Sequence, residues 1–190
     1  MPVCEPIRDV EKLHKLAEFY LNRNQYRNHA MLVLGVSTAL RIGDLLGLTW
    51  GHVCEEKSGE FRTHITITEM KTGKQNTIAL NQKAIAALRL LIPHKRNMFI
   101  FANNRKEPAP ISRIQAWRII KNAVAATGLT NRHIAVHSLR KTFGYHAWVS
   151  GASPVVLMDI YNHSSYEMTR RYLGVAQDDK DKVHLSLMLF

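Results

Sequence analysis

The stretch Thr63-His-Ile-Thr-Ile-Thr68, followed by Lys71-Thr-Gly-Lys74 and then Asn76-Thr-Ile-Ala-Leu80, decides the fold class. The first segment, with Phe61 just ahead of it and His64, Ile65 and Ile67 within it, is a run of β-branched residues and reads as a strand. The glycine-bearing middle segment is a turn, and the third segment is a second strand. A small antiparallel sheet is therefore expected, and everything around it has helical spacing.

Upstream, Ile7, Val10, Leu13, Leu16, Ala17, Tyr20 and Leu21 recur at helical intervals, so a helix is predicted over Ile7 to Leu21. Asn22 to Asn28 is a polar break. Ala30 to Leu40 reads as a largely buried helix with Arg41 at its end, and Gly43 to Leu48 as a further helical turn. Downstream, Gln82 to Leu91 is helical and stops at Pro93, Met98 to Ala102 is a short extended piece, and Asn103 to Pro110 is a loop. Ser112 is placed to cap a helix reaching Thr127, with Gly128 beyond it. A further helix spans His137 to Ser150 and closes at Gly151. Ser153-Pro154 starts another that ends near Tyr161, since proline at the first helical position sacrifices no hydrogen bond. A last helix runs from Tyr166 to Leu173 and ends at Gly174. The expected class is mainly α with a small antiparallel β-sheet, as one domain over residues 1–190 with a tail at 178–190 suited to docking.

The chain has 190 residues, of which 46% are hydrophobic, so a packed core is expected rather than disorder. Lysine and arginine number 26 against 15 acidic residues, a formal charge of +11. That surplus favours a polyanionic partner, nucleic acid before an anionic membrane. The two cysteines, Cys4 and Cys54, form neither a Cys-x-x-Cys pair nor a zinc spacing, which fits a reducing compartment. The N-terminus has no signal-peptide pattern and no apolar run is long enough to span a bilayer, so a cytoplasmic protein without membrane partners is expected.

Five residues stand out for their chemistry. Arg41 follows an apolar helix and precedes Asp44, which is placed to hold its guanidinium. His137 and Arg140 are three residues apart near a helix start, on one face and near the positive end of the helix dipole. His163 and Tyr172 are separated by a turn and one helix, and Asn162 in that turn tolerates positive φ. Two arginines to hold a phosphate, two histidines to handle protons and hydrogen bonds, and one tyrosine as nucleophile make a set for attacking a phosphodiester. Tyr161 and Tyr166 are rival nucleophiles, and Tyr161 has the setting of a core residue. Lys71 and Lys74 lie on the hairpin turn, where lysines are as a rule only solvated. His133 and His137 could suggest a metal, but no His-Glu-x-x-His and no acidic cluster accompanies them.

Together these segments resemble the tyrosine recombinases, the phage-integrase family. The family's first arginine box is similar to Thr38-Ala-Leu-Arg41-Ile-Gly-Asp44-Leu-Leu-Gly-Leu-Thr-Trp50, its hairpin lysine to Lys71, and its second box to His137-Ser-Leu-Arg140-Lys-Thr-Phe-Gly-Tyr-His146. Its final box is similar to Asn162-His163-Ser-Ser with Tyr172 at the family's distance. The resemblance runs from about Pro6 onward. Three departures lie within it: Tyr161-Asn162 where the family often has Leu-Gly, Lys141 where a histidine usually follows the second arginine, and Gly144 where alanine is more usual. Many relatives also carry an N-terminal domain that clamps the other side of DNA, and none is expected here.

The resemblance implies a site-specific recombinase that cleaves and rejoins double-stranded DNA through a 3′-phosphotyrosine on Tyr172. Arg41 and Arg140 would hold the phosphoryl oxygens and His163 would donate a further hydrogen bond. Lys71 would protonate the leaving 5′-oxygen and His137 would assist tyrosine deprotonation. The bond energy stays in the phosphotyrosine, so no cofactor or metal is implied. The implied assembly is a homotetramer on two DNA sites, with room for accessory proteins, and the apolar tail Val183, Leu185, Leu187, Leu189 and Phe190 would dock on a neighbour or on its own domain. Type IB topoisomerase-like relaxation, or a non-catalytic DNA-binding regulator on the same fold, are the alternative readings.

Overall fold

The structure, a computed structural model, describes residues 4–55, 57–129, 133–174 and 177–187. Ten α-helices and one hairpin are found among them. They are α1 (Val10–Leu21), α2 (Tyr26–Ser37), α3 (Ile42–Leu46), α4 (Trp50–Val53), β1 (His64–Thr68), β2 (Gln75–Ala79), α5 (Gln82–Leu91), α6 (Arg113–Ala126), α7 (Val136–Val149), α8 (Pro154–Tyr161), α9 (Tyr166–Leu173) and α10 (Gln177–Ser186). The two strands are antiparallel, with Thr66 opposite Thr77, and Ile65 and Ile67 face inward.

Sequence and structure differ mostly at element ends. The first helix begins at Val10 rather than Ile7, because the Asp9 carboxylate caps it by accepting from Lys12 N. Ile7 instead runs extended against α7: its N–H donates to Thr142 Oγ1 at 2.9 Å and its carbonyl accepts from His146 Nε2 at 2.9 Å. The second helix begins four residues earlier than Ala30, so Arg27 and Asn28 of the polar break form its first turn. It stops at Ser37 because Ala39 sits at φ 54°, which no right-handed helix accommodates. α4 and α10 were not expected; α4 is a single turn and α10 is nearly all polar, so neither presents an apolar stripe. Ser112 caps α6 reciprocally with Gln115, Asn162 ends α8 in the left-handed region at φ 53°, and Gly174 ends α9 at φ 69°, all as the sequence indicates.

Two clusters of apolar side chains organise the molecule. The larger is built from α1 to α7 and the sheet, with Leu16, Met31, Leu34, Leu48, Ile65, Leu88 and Ile120 fully buried. The smaller joins Ala39, Leu157, Tyr161 and Leu173, with Phe143 and Tyr172 packed against it. This second cluster seats α8 and α9 on α7. Each fully buried large side chain contributes up to roughly 1.5–3 kcal/mol, so Leu157, Tyr161 and Leu173 fix the pose of the two helices that flank His163.

Candidate active site

Local chain geometry brings the two arginines to one point. α8 ends at Asn162, so the Tyr161 carbonyl at its C-terminus lacks a helical partner and lies at the negative end of the dipole. Arg140 Nη2 donates to that oxygen at 3.2 Å and Arg41 Nη2 at 3.4 Å. Arg140 is 3% exposed, donates also to the Ala39 carbonyl, and lies 4.6 Å from the Tyr161 ring centroid. The left-handed Ala39 is thus what turns its carbonyl toward Arg140, a local strain kept at the site.

Arg41 is held by Glu69, not Asp44. Arg41 Nη1 reaches Glu69 Oε2 at 2.5 Å, and Glu69 accepts from Thr72 Oγ1 at 2.8 Å and Asn76 Nδ2 at 3.1 Å. Burial works against the Glu69 charge, but the bonds from Thr72, Arg41 and Asn76 and the charge of Arg41 outweigh it, holding the carboxyl below the usual range. Asp44 is 6% exposed and caps the hairpin backbone by accepting from Met70 N at 2.9 Å. Sequence spacing pointed to the acid three residues away; the partner comes from the end of β1, a tertiary contact that local spacing does not carry.

His163 and Tyr172 complete the pocket. His163 Nδ1 lies 3.0 Å from Thr169 Oγ1 on α9, and its ring stacks on Tyr161 at 5.3 Å. The Tyr172 ring meets His163 edge-on at 5.3 Å and Tyr161 at 4.9 Å. Burial raises the Tyr172 phenol above its usual range; Arg140, acting through its charge and a side-chain hydrogen bond, and Arg41 pull the other way without overcoming it. The His163 imidazolium is disfavoured by burial and then by Arg140 and Arg41. His137 is exposed near the start of α7, and its pKa is lowered by partial loss of hydration and by Arg140, Lys141, Arg113 and Arg41.

Arg41, Arg140, His163 and Tyr172 therefore converge around the Tyr161 carbonyl and ring within a single chain, and His137, exposed near the start of α7, feels the charge of both arginines. Lys71 stands apart: it is exposed on the hairpin turn and makes no hydrogen bond or ion pair with a described residue. Its neighbour Thr72 binds Glu69, which binds Arg41, so the turn is tethered to the pocket although the ammonium is not in it. Of the rival tyrosines, Tyr161 is fully buried and donates its hydroxyl to the Arg140 carbonyl at 2.8 Å. Tyr166 is 49% exposed at the far end of α9. Among the described residues no group of three His, Cys, Asp or Glu side chains converges as a metal set would, and no helix is long and apolar enough to cross a membrane. In the tail, Leu185 and Leu187 are exposed, Leu189 and Phe190 lie outside the described residues, and Arg8 ties α10 back through Asp179 at 3.4 Å.

A family model described as the phage integrase family matches residues 8–178. The "Probable integrase/recombinase YoeC" of Bacillus subtilis (strain 168) is 37% identical over 182 residues, covering 94% of this chain and 93% of that one. "Tyrosine recombinase XerD" of Neisseria meningitidis serogroup B is 29% identical over 159 residues, 79% of this chain and 51% of the relative, so the chain spans about half of that protein. Among solved structures, XerA recombinase superposes with a TM-score of 0.76 at 19% identity, over 98% of this chain and 65% of that one. XerH bound to palindromic difH in a post-cleavage complex gives 0.76 at 18% identity, over 96% and 52%. These likenesses establish the fold: mostly helical, with the two-stranded hairpin of a recombinase catalytic domain. The chain belongs to the phage integrase family of tyrosine recombinases.

Proposed function

We propose that this chain is a site-specific DNA recombinase whose Tyr172 forms a transient 3′-phosphotyrosine. The observation that carries the reading is the placement of the Tyr172 phenol, Arg140, Arg41 and His163 in one pocket of one chain. Tyr172 Oη attacks the phosphorus, the bond from phosphorus to the 5′-oxygen breaks, and a free 5′-hydroxyl from the partner strand later reverses the step. Arg41 and Arg140 stabilise the charge that develops on the phosphoryl oxygens. With the Thr169 hydroxyl donating to Nδ1 of His163, Nε2 carries the proton and donates it in a hydrogen bond to the same phosphoryl group. His137, disfavoured as a cation by partial burial and then by its cationic neighbours, accepts the phenol proton. Lys71 supplies a proton to the leaving 5′-oxygen once DNA draws the hairpin turn over the pocket.

The substrate is double-stranded DNA, consistent with the +11 charge and with the DNA-bound states of recombinases sharing this fold. The working unit on DNA is a homotetramer bridging two sites, the 1–190 chain acts as one catalytic domain, and the 178–190 segment contributes to assembly. The test is cleavage of a nicked suicide duplex, from which the short strand downstream of the cut diffuses away. The wild-type chain accumulates a covalent protein–DNA adduct; Tyr172→Phe binds the duplex equally and forms none. An adduct formed by the Phe variant would remove Tyr172 from the mechanism.

A further inference from the structure

Lys141 is 6% exposed, and a buried ammonium is costly to hold without an anion beside it. No carboxylate of the described residues lies within ion-pair distance of it. What its Nζ does meet is the face of the Tyr172 ring, 5.2 Å from the centroid. Lys141 follows Arg140 on α7, so the ring of Tyr172 has Arg140 acting on its oxygen, His163 on its edge and Lys141 on its face. The side chain is long and cationic, and it reaches the ring of the nucleophile.

We propose that Lys141 is a positioning residue for the nucleophile: it holds the Tyr172 ring by its π face and keeps a positive charge over the ring whose oxygen becomes anionic as it attacks. The inference rests on the assignment of Tyr172 as the covalent nucleophile. A cation over an aromatic face is attracted by the ring quadrupole, most strongly where water is excluded. The same charge is better compensated once negative charge develops at the phenol and phosphoryl oxygens, so it favours the transition state over the resting pocket. Burial keeps Lys141 from reaching DNA in the free protein, which separates it from lysines that only anchor the backbone.

The experiment is single-turnover cleavage of a saturating suicide duplex by wild type, Lys141→Met and Lys141→Arg, with DNA affinity and melting temperature measured on each. Methionine keeps the length and apolar stem but removes the charge. The expected result is cleavage slowed about tenfold in Lys141→Met with unchanged affinity and a melting temperature within a few degrees, and recovery to within about threefold in Lys141→Arg. A duplex with sulfur at the leaving 5′ position, which departs without a proton, should leave the Lys141→Met defect in place, since the defect lies with the attacking group. Wild-type cleavage by Lys141→Met, rescue by the sulfur substrate, or a fall in affinity or stability that accounts for the whole rate loss would each overturn the assignment. Absence of an adduct from the wild-type chain itself would overturn the recombinase reading instead.

Discussion

At the scale of single residues, the pocket is a balance between burial and fixed positive charge. Glu69 shows how the balance is kept: without it two guanidiniums would face each other across the Tyr161 carbonyl with no counter-charge. Glu69→Gln should lower stability by about 1–3 kcal/mol and slow cleavage at least tenfold while sparing DNA affinity, read by denaturant titration and suicide-substrate kinetics. The histidines give a pH dependence. His163 and His137 bind protons less readily in the folded chain than in the unfolded one, so folded-state stability is full above pH about 6.5 and falls as pH drops through that value. The melting temperature should therefore decline from pH 7 to pH 5, and less steeply in a His163→Gln, His137→Gln double variant; parallel curves would assign the decline elsewhere. Lys71→Ala should lose cleavage of ordinary DNA and regain it on the 5′-sulfur substrate, because only the oxygen leaving group needs its proton.

At the scale of elements, the α8–turn–α9 unit packs on α7, and two of the departures from the family pattern meet there: Tyr161 at the end of α8 and Gly144 on α7. They are linked. A Cβ on Gly144 would lie 2.1 Å from Tyr161 Oη and 2.6 Å from Leu173 Cδ2, so the bulk of Tyr161 occupies the space that alanine would need. Gly144→Ala should cost roughly 3 kcal/mol or more by overpacking, and Tyr161→Leu should recover a large part of that loss in the double variant, although Tyr161→Leu alone destabilises by leaving a void. Additive losses would mean that the two positions do not share the space. This unit also marks how far the sequence could be read. Asn162 and Gly174 announce their left-handed turns by residue type, Ser112 announces its cap, and the β-branched run with its glycine-bearing turn announces the hairpin. Those signals are local, and they were legible. The Arg41–Glu69 pair, the strained Ala39 and the contact of Lys141 with Tyr172 join segments distant in sequence, and spacing along one element carries no trace of them. The polar α10 was missed for a related reason: it has no apolar stripe to betray a helix.

At the scale of the whole molecule, a formal charge of +11 and a pocket built within one chain set the expectations for DNA. Affinity for duplex DNA should fall with salt along a log–log slope of about −5 or steeper, as counterions displaced from the phosphates return; a slope near zero would contradict an interface built on phosphate contacts. Because Tyr172 lies beside Arg140 and His163 of its own chain, the proposed site is expected to act in cis, and mixing Tyr172→Phe with Arg140→Lys protomers should restore no cleavage. Peptide mapping of the trapped adduct addresses the central claim without reference to any variant. Protease digestion followed by mass spectrometry of the wild-type protein–DNA product should find the nucleotide phosphate esterified to Tyr172 alone. A modified Tyr166, a modified serine, or no modified peptide in a preparation that has cut DNA would contradict it.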